Sequence, residues 1–254
     1  MSGAAPQRLS AVIIARDAAT QIEPCLASVA FADEIVVVDS GSRDATRTIA
    51  AARGARVVEQ CWLGFGPQKQ FAVSQARHDW VLCIDTDERV SEPLRASIST
   101  ELAAPRAHVY AVARCNRFMG RWLRHGEGYP DWNTRLFHRD HARWSDDLVH
   151  EHVVATGPVL RLSGDLLHDS AETLERYLEK QNRYTTLQAD NVVATGMHVS
   201  AVTMLLSPLV RFLKFYLFRL GFLDGVPGLV HIAIGCWNSF VKYAKAWVSQ
   251  RPGG

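Results

Sequence analysis

An apolar run that ends abruptly in acids constrains the fold of this chain more than any other feature. Residues 80–84 are all apolar, and Asp85, Asp87 and Glu88 follow within four positions. A short, continuous apolar run is typical of a strand covered on both faces, as in a parallel sheet between helices. The acids therefore follow the carboxyl end of a buried strand, where open α/β sheets bind ligands.

A second run repeats this arrangement earlier in the chain, where residues 35–38 are apolar and Asp39 follows them. Because parallel strands end at one edge of a sheet, we expect Asp39 and the acids at 85–87 to converge there on a cation-bound diphosphate. Asp85 and Asp87 can both face a hard cation such as Mg²⁺ or Mn²⁺. A turn with solvated carboxylates is the competing interpretation, because Asp-x-Asp strings are common.

Strand and helix patterns alternate through the first 105 residues. Strands are predicted at 9–15, 34–39, 56–59 and 80–84, and helices near 21–29, 45–53, 67–76 and 93–102. This alternation predicts an α/β fold with right-handed crossovers, a mostly parallel sheet and flanking helices. Residues 108–168 contain shorter alternating runs, and we expect an acceptor-side region with some antiparallel strands there.

Composition excludes some classes of partner. The formal net charge is +2 over 254 residues, too small for binding by bulk electrostatics, so we expect no nucleic-acid partner. Five widely spaced cysteines are typical of reduced thiols in a cytosolic protein. We also expect no secretion signal in the first residues.

The last quarter of the chain is apolar and basic. Residues 201–223 are rich in Leu and Phe, but Arg211, Lys214 and Arg219 interrupt them. The apolar residues favour membrane insertion by roughly 4–7 kcal/mol, and the three cations oppose it by about 8–10 kcal/mol. We therefore expect an amphipathic helix in the plane of the interface, with these bases toward anionic headgroups of a membrane surface. The alternative is a helical tail packed on the core.

These patterns divide the chain into two predicted parts. Residues 1–190 form the main domain, with a nucleotide-sugar half at about 1–105 and an acceptor half at about 106–190. Residues 191–254 form a helical, membrane-associating C-terminal region.

A series of short motifs runs in order along nearly the whole chain. They are LSAVIIARD at 9–17, ADEIVVVDSGS at 32–42, GFGPQK at 64–69, DWVL at 79–82, DTDERV at 85–90, NRFMGRW at 116–122, TRLF at 134–137, VHE at 149–151, RLGFLDG at 219–225 and KYAK at 242–245. In this order they resemble the family 2 glycosyltransferases of the GT-A (Rossmann-like) fold. The resemblance is closer to the bacterial lipopolysaccharide core β-glucosyltransferase branch.

The resemblance implies an inverting, metal-dependent hexosyltransferase that uses Mg²⁺ or Mn²⁺. Its donor would be a nucleotide sugar, UDP-glucose in particular, and its acceptor a lipid-linked saccharide such as the lipopolysaccharide inner core. It would act as a peripheral protein at the cytoplasmic face of the bacterial inner membrane. Two alternatives stay open: a transferase with a polyprenyl phosphate acceptor, and a non-catalytic sugar-nucleotide-binding membrane module. A nucleotidyltransferase is possible on fold grounds alone.

The resemblance also implies the donor-site residues. They are Asp17, Asp39, Ser40, Lys69 and Asp85 for the donor, and Asp85 and Asp87 for the cation, with His168 as a candidate third ligand. Many family members carry Asn-Glu after the first strand. Here the positions hold Asp17 and Ala18, and we expect Asp17 to take over the nucleotide contact.

Transfer to a hydroxyl needs a carboxylate that accepts the proton of the acceptor. Glu151 occupies the place of a catalytic acid in related enzymes, and Asp131 is a second candidate in a loop before TRLF. A basic group is expected either to receive acceptor phosphates or to be solvated surface. Its members are Arg117, Arg121, Arg124 and Arg135.

Overall fold

The structure is a computed structural model that describes residues 6–148, 151–170 and 173–251. Val149 and His150 of the VHE motif lie outside these residues. The strands are β1 (Leu9–Ala15), β2 (Glu34–Asp39), β3 (Arg56–Glu59), β4 (Trp80–Asp85), β5 (Glu88–Val90), β6 (Val109–Phe118), β7 (Arg121–Trp122), β8 (Asp131–His138), β9 (Ala142–Trp144), β10 (Val153–Ala155) and β11 (Val159–His168). The helices are α1 (Ile22–Ser28), α2 (Thr46–Ala52), α3 (Phe65–Ser74), α4 (Glu92–Ala103), α5 (Leu174–Ala194), α6 (Ala201–Phe212) and α7 (Gly225–Ser249). A π-helical segment, Leu213–Phe218, and a 3₁₀ turn, Gly221–Asp224, connect α6 to α7.

Within the described residues, nine strands form the main sheet in the order β3-β2-β1-β4-β8-β6-β11-β5, with β7 paired to β6. The pairs β3–β2, β2–β1 and β1–β4 are parallel. The pairs β4–β8, β8–β6 and β11–β5 are antiparallel. The predicted α/β class with a GT-A sheet and flanking helices is confirmed, and the parallel pairing lies in the first four strands of this order.

Apolar side chains of the sheet pack on both of its faces. On one face Ile13 and Leu82 belong to a buried cluster with α1 and α4. On the other face Val12 and Cys83 pack against α3 and β9. Each fully buried aliphatic side chain contributes roughly 1.5–3 kcal/mol. This two-sided burial explains why β1, β2 and β4 are continuous apolar runs in the sequence.

The acids at the ends of β2 and β4 are separated by β1, so these two strands are not neighbours in the sheet. Asp39 pairs in register with Ala15, and Asp85 pairs with Ile14. Two strand spacings place their Cα atoms about 10 Å apart. Because side chains alternate between faces, this offset of one residue directs Asp39 and Asp85 to opposite faces of the sheet. The expected convergence of Asp39 with Asp85 on a cation-bound diphosphate is therefore wrong.

Contacts divide the chain into two compact units. The first comprises Met1–Arg114 and Asp131–His168, and the second Cys115–Pro130 and Asp169–Gly254. In the second unit α5 packs on α7, where Lys245 Nζ donates hydrogen bonds to Asn182 Oδ1 and Thr185 Oγ1. This division by contacts places α5 with the C-terminal helices. The functional boundary at residue 190 stays a prediction.

In the second unit, α6 turns an apolar surface outward. At 100° per residue its exposed large apolar side chains fall within an arc of roughly 140°. They are Val202, Leu205, Leu206, Leu209 and Val210, called here the apolar arc. The 18-residue stretch Ala201–Phe218 is long and apolar enough to cross a membrane by length and composition, and none of it is buried.

The bases of this segment do not share one outward face. Arg211 lies opposite Val202 on the helical wheel, and its guanidinium forms a two-bond ion pair with Glu127. Arg219 donates a hydrogen bond to the carbonyl oxygen of Tyr129 at 2.9 Å. The prediction that Arg211 faces lipid headgroups is therefore wrong, because its guanidinium is bound to Glu127. For Arg219, whose side chain is exposed, it stays a prediction.

Candidate active site

Asp85 ends β4 between two buried cations. Lys69 Nζ, from α3, lies 3.1 Å from Asp85 Oδ1, and Arg135 Nη2, from β8, lies 3.1 Å from Asp85 Oδ2. The side chains of Lys69 and Arg135 are only 7% and 4% exposed. Burial would raise the pKa of Asp85, but these two cations outweigh it and hold the pKa well below its usual range. Asp85 is therefore ionised at neutral pH.

Glu88 is a second buried acid of this cluster, and the sequence patterns did not predict it as a site residue. Its carboxylate accepts hydrogen bonds from Arg135 Nη2 at 2.7 Å and from the backbone N–H of Asp85 at 3.0 Å. Burial raises the pKa of Glu88; Arg135 opposes that change and the charge of Asp85 adds to it. Glu88 closes the turn after β4. The sequence signal that could have identified Glu88 was an acid directly after the turn, at the start of a short strand.

Of the two candidate bases, Glu151 is the one that contacts Lys69. Glu151 Oε1 accepts a hydrogen bond from Lys69 Nζ at 2.8 Å, so Glu151 and Asp85 lie on either side of one ammonium. Asp131, the first residue of β8, instead pairs with Arg114 at 2.9 Å. The structure therefore brings Glu151 into the Asp85 cluster through a direct contact.

Asp87 and His168 form a separate pair, in which Asp87 Oδ2 lies 3.2 Å from His168 Nε2. The antiparallel pairing of β5 with β11, which places His168 opposite Glu88, brings them together. The described residues include no group of three or more His, Cys, Asp or Glu arranged to hold a metal ion. A carboxylate beside an imidazole is nevertheless a donor pair that suits Mn²⁺, and it leaves positions for ligand oxygens. The residues present fit a cation bound by Asp87 and His168, with Asp85 nearby but bound to Lys69 and Arg135.

The loop after β2 holds the other predicted donor residues. Asp39 is fully buried, and its Oδ1 accepts hydrogen bonds from the backbone N–H groups of Gly41 at 3.0 Å and Ser42 at 2.9 Å. The Ser42 hydroxyl also binds Asp39 Oδ2 and accepts a hydrogen bond from the Asp17 N–H at 2.9 Å. The hydroxyl of Ser40 accepts one from Gln68 at 3.1 Å. Ser42 thus links Asp17 to Asp39 at the ends of β1 and β2, and Ser40, in the same loop, is bound to Gln68 of α3 instead.

The start of α3 is docked against the chain that leads to Glu151. The backbone N–H groups of Phe65 and Gly66 each donate a 3.1 Å hydrogen bond, to the carbonyls of Leu148 and Asp147. A Cβ on Gly66 would lie 2.1 Å from the Ser145 carbonyl oxygen, so a larger residue cannot fit without displacement. These contacts also explain why α3 begins two residues before the predicted position 67.

Trp144 forms the base of the charge cluster. Lys69 Nζ lies 4.8 Å, and the Arg135 guanidinium carbon 5.8 Å, from the centroid of its ring. Its indole N–H donates to Cys83 Sγ at 3.4 Å. Burial raises the pKa of the Cys83 thiol to about 12, so this thiol is protonated at neutral pH.

The structure contradicts the predicted basic group at one member, Arg135, while Arg117, Arg121 and Arg124 are exposed and their role stays a prediction. Arg135 is buried between two acids, so its assignment to acceptor phosphates is wrong. In the second unit, Arg117 pairs with Asp169 at 2.8 Å, and Arg121 donates to the carbonyl of Leu223 at 2.9 Å. These guanidinium groups are engaged in contacts within the protein.

Comparisons with known proteins show which family the sequence matches. A family model described as glycosyl transferase family 2 matches residues 10–161. A lipopolysaccharide core biosynthesis glycosyltransferase, LpsC, of Rhizobium meliloti (strain 1021) is 32% identical over 248 residues, with coverage of 94% of this chain and 92% of the relative. An uncharacterized glycosyltransferase of Rickettsia bellii (strain RML369-C) is 30% identical over 258 residues, with coverage of 96% and 88%.

Among solved structures, similarity extends to a glucosyl-3-phosphoglycerate synthase from Mycobacterium tuberculosis in complex with Mn²⁺ and UDP-glucose. That match has a TM-score of 0.38 and 25% identity, and it covers 44% of each chain. A similarity this partial does not identify the donor, the acceptor or the cation of this chain.

Proposed function

Because the chain belongs to glycosyl transferase family 2, we propose that it moves a sugar from a nucleotide diphosphate donor to a lipid-linked saccharide with inversion. The observation that carries this proposal is the shared ammonium of Lys69, which joins Glu151 to Asp85. A base is thereby held beside a donor-site carboxylate. The name of the Rhizobium relative supports a lipopolysaccharide core acceptor, and glucose from UDP-glucose is the first donor to test.

The separation of Asp39 from Asp85 suits an elongated donor. A nucleotide sugar has a nucleoside at one end and a diphosphate further along, so one carboxylate cannot serve both. The Asp17, Asp39 and Ser40 loop would bind the nucleoside end, and Lys69 and Asp85 would face the diphosphate. A divalent cation held by Asp87 and His168, either Mn²⁺ or Mg²⁺, would supply Lewis-acid neutralisation of the leaving diphosphate.

Glu151 would accept the proton of the acceptor hydroxyl as the new bond to the anomeric carbon forms. Its contact with Lys69 places it next to the donor site, where a base is needed. A single base acting in one displacement inverts the anomeric centre. Asp131, bound to Arg114, would instead organise the neighbouring strand end.

The apolar arc of α6 supports a membrane-bound acceptor. Transfer of each exposed aliphatic side chain out of water is favourable by roughly 1.5–3 kcal/mol in free energy. Residues 201–251 contain six Lys or Arg but a single acid, Asp224, which is buried. We therefore propose peripheral binding to an anionic membrane surface, the cytoplasmic face of the inner membrane, mainly through apolar contact. The double variant Leu205→Glu/Leu209→Glu should no longer float with anionic vesicles. The control variant Arg211→Gln should float as the wild type does.

The test of the proposed function is a panel of UDP- and GDP-sugars, with and without Mn²⁺. A donor that binds raises the melting temperature by mass action, and transfer is then measured on lipopolysaccharide core acceptors. Glu151→Gln should lower the transfer rate roughly 10²- to 10⁴-fold. Its matched control, Asp131→Asn, should retain most of the activity. The opposite ranking would contradict the choice of base, and donor binding without turnover on any acceptor would favour a non-catalytic module.

The apolar arc equally suits a polyprenyl phosphate acceptor. The products separate these two functions, because mild acid releases the sugar of a polyprenyl phosphate product as a monosaccharide, whereas it leaves a newly added sugar joined to the core oligosaccharide. A radiolabelled donor, mild acid hydrolysis and sizing of the labelled product therefore identify the acceptor class.

A further inference from the structure

We propose that Lys69 is a positioning residue that places Glu151. Its ammonium holds the Glu151 carboxylate beside Asp85, so α3 sets the location of the base. This inference rests on the proposed function, since it concerns the geometry of that same site.

The contacts of Lys69 fix its ammonium in place. Nζ lies 2.8 Å from Glu151 Oε1 and 3.1 Å from Asp85 Oδ1, above the ring of Trp144. An ammonium has three N–H donors and no acceptor, so two carboxylates and one aromatic face account for its surroundings. Because its side chain is 7% exposed, little water competes for these bonds. In the donor-free protein the ammonium therefore links the two acids directly.

Glu151 itself lies outside regular secondary structure. β9 ends at Trp144 and β10 begins at Val153, so Glu151 is part of the connection between these strands. A carboxylate on such a connection needs an external contact to hold one position. Lys69 supplies it, and the backbone bonds from Phe65 and Gly66 fix the earlier part of the same connection to α3.

The same ammonium contacts the donor-site carboxylate, which links donor binding to the base. A change in the bonds of Asp85 alters the bonds available to Lys69, and thereby the position of Glu151. A residue that acts only by binding the donor would not have this property, and the difference can be measured.

The kinetic test uses UDP-glucose with Mn²⁺ and four proteins: wild type, Lys69→Met, Glu151→Gln and the double variant. Met matches the length of Lys without its charge. We expect Lys69→Met to lower kcat at least about 10-fold, and to lower it less than about 3-fold when Glu151 is already Gln. Lys69→Arg, which keeps the charge, should recover most of kcat. If Lys69→Met raises the donor KM equally in both backgrounds and leaves kcat unchanged, the proposal is overturned.

A second arm needs no activity. Thermal unfolding of the donor-free proteins gives the same double-mutant cycle for Lys69 and Glu151. The control cycle combines Lys69→Met with Glu59→Gln, because Glu59 contacts Arg47 and not Lys69. We expect the double variant Lys69→Met/Glu151→Gln to melt at least about 2 °C higher than the sum of the single losses predicts. The Lys69→Met/Glu59→Gln pair should be additive.

The two arms separate the two proposals. If the wild type transfers no sugar from any donor, the proposed function fails, and the unfolding cycle still decides whether Lys69 holds Glu151. Additive unfolding losses would overturn the positioning role even in an active enzyme. Coupled losses without any kcat effect would also overturn it, since the contact would then be structural alone.

Discussion

Two carboxylates at the same edge of the sheet are held in opposite ways. Asp39 accepts hydrogen bonds from backbone N–H groups two and three residues away, in its own turn. Asp85 is held by the side chains of Lys69 and Arg135, from a helix and from another strand. Backbone donors cannot leave without unfolding the turn, whereas long cationic side chains can re-form their bonds with arriving oxygens. The carboxylate at the end of β2 is thus fixed by its own turn, whereas the contacts of the carboxylate at the end of β4 can exchange for contacts with a ligand.

The largest expected effect tests the exchangeable side. Asp85→Asn should reduce transfer roughly 10²- to 10⁴-fold, because it removes the charge that organises the cations around the diphosphate. The melting temperature should fall as well, because the nearly buried cations Lys69 and Arg135 lose one of their anionic partners. Steady-state kinetics and thermal unfolding measure both quantities. A large loss of stability with intact turnover would reverse the comparison.

Gly66→Ala tests the support under the exchangeable cations. The added methyl group would overlap the Ser145 carbonyl oxygen, so α3 and the connection that carries Glu151 must separate. We expect activity to fall by about 10²-fold and the free energy of unfolding to fall by about 1–3 kcal/mol. The matched control is Gly128→Ala, where the new Cβ would meet its neighbours at an ordinary 3.5 Å. Equal behaviour of the two variants would show that the α3 contact is not required.

Asp39→Asn tests the fixed carboxylate at the end of β2. Asn keeps an oxygen for the Gly41 and Ser42 N–H groups but loses the charge that strengthens these bonds. We expect a loss of about 1–2 kcal/mol in the free energy of unfolding, a higher donor KM and a kcat within about 3-fold of wild type. Ser42→Ala removes the two hydrogen bonds of the hydroxyl, to Asp39 and from the Asp17 N–H, but keeps the charge of Asp39 and should cost less. A kcat loss as large as that of Asp85→Asn would end the distinction between the two edges.

The smallest effect concerns a fixed carboxylate away from this edge. Burial raises the pKa of Glu34, but the Arg77 N–H, the Ser10 hydroxyl and Arg56 outweigh it and lower the pKa below its usual value. A lowered pKa adds stability that is fully present above the unfolded pKa, about 4.3, and is lost as pH falls through the folded value. Glu34→Gln should therefore lower the free energy of unfolding at pH 7 by about 1 kcal/mol, and the melting temperature with it.

This difference should shrink as the pH falls below about 4, and transfer activity should be unchanged at pH 7. Thermal melts from pH 3 to 7 measure it. A constant difference across that range would mean that the charge of Glu34 does not contribute.

The parallel half of the fold was readable from the sequence because both faces of its central strands, β1, β2 and β4, are buried. The continuous apolar runs, and the acids that end them, gave the bounds of β1, β2 and β3 as the structure has them. In the other half, the alternating runs at 109–114 and 159–162 predict shorter strands than β6 and β11, which extend to Phe118 and His168. Polar residues such as Asn116 and Ser163 lie in these strands, and pairing with neighbouring strands decides their conformation.

The relation between Asp39 and Asp85 could not be derived from the sequence. It depends on β1 lying between their strands and on an offset of one residue in register, and neither follows from local patterns. Arg211 was misjudged for a similar reason, since its ion pair with Glu127 spans 84 positions of the chain. Glu151 was readable as a candidate through resemblance, whereas its contact with Lys69 needed coordinates.

The placement of Trp144 has a practical consequence. Its indole ring is nearly buried and faces two cations whose partners are expected to change when donor binds. Movement of a positive charge over an indole alters the colour of its emitted light. The enzyme therefore carries a built-in optical probe of its own catalytic cycle, readable once the other six tryptophans have been replaced by phenylalanine.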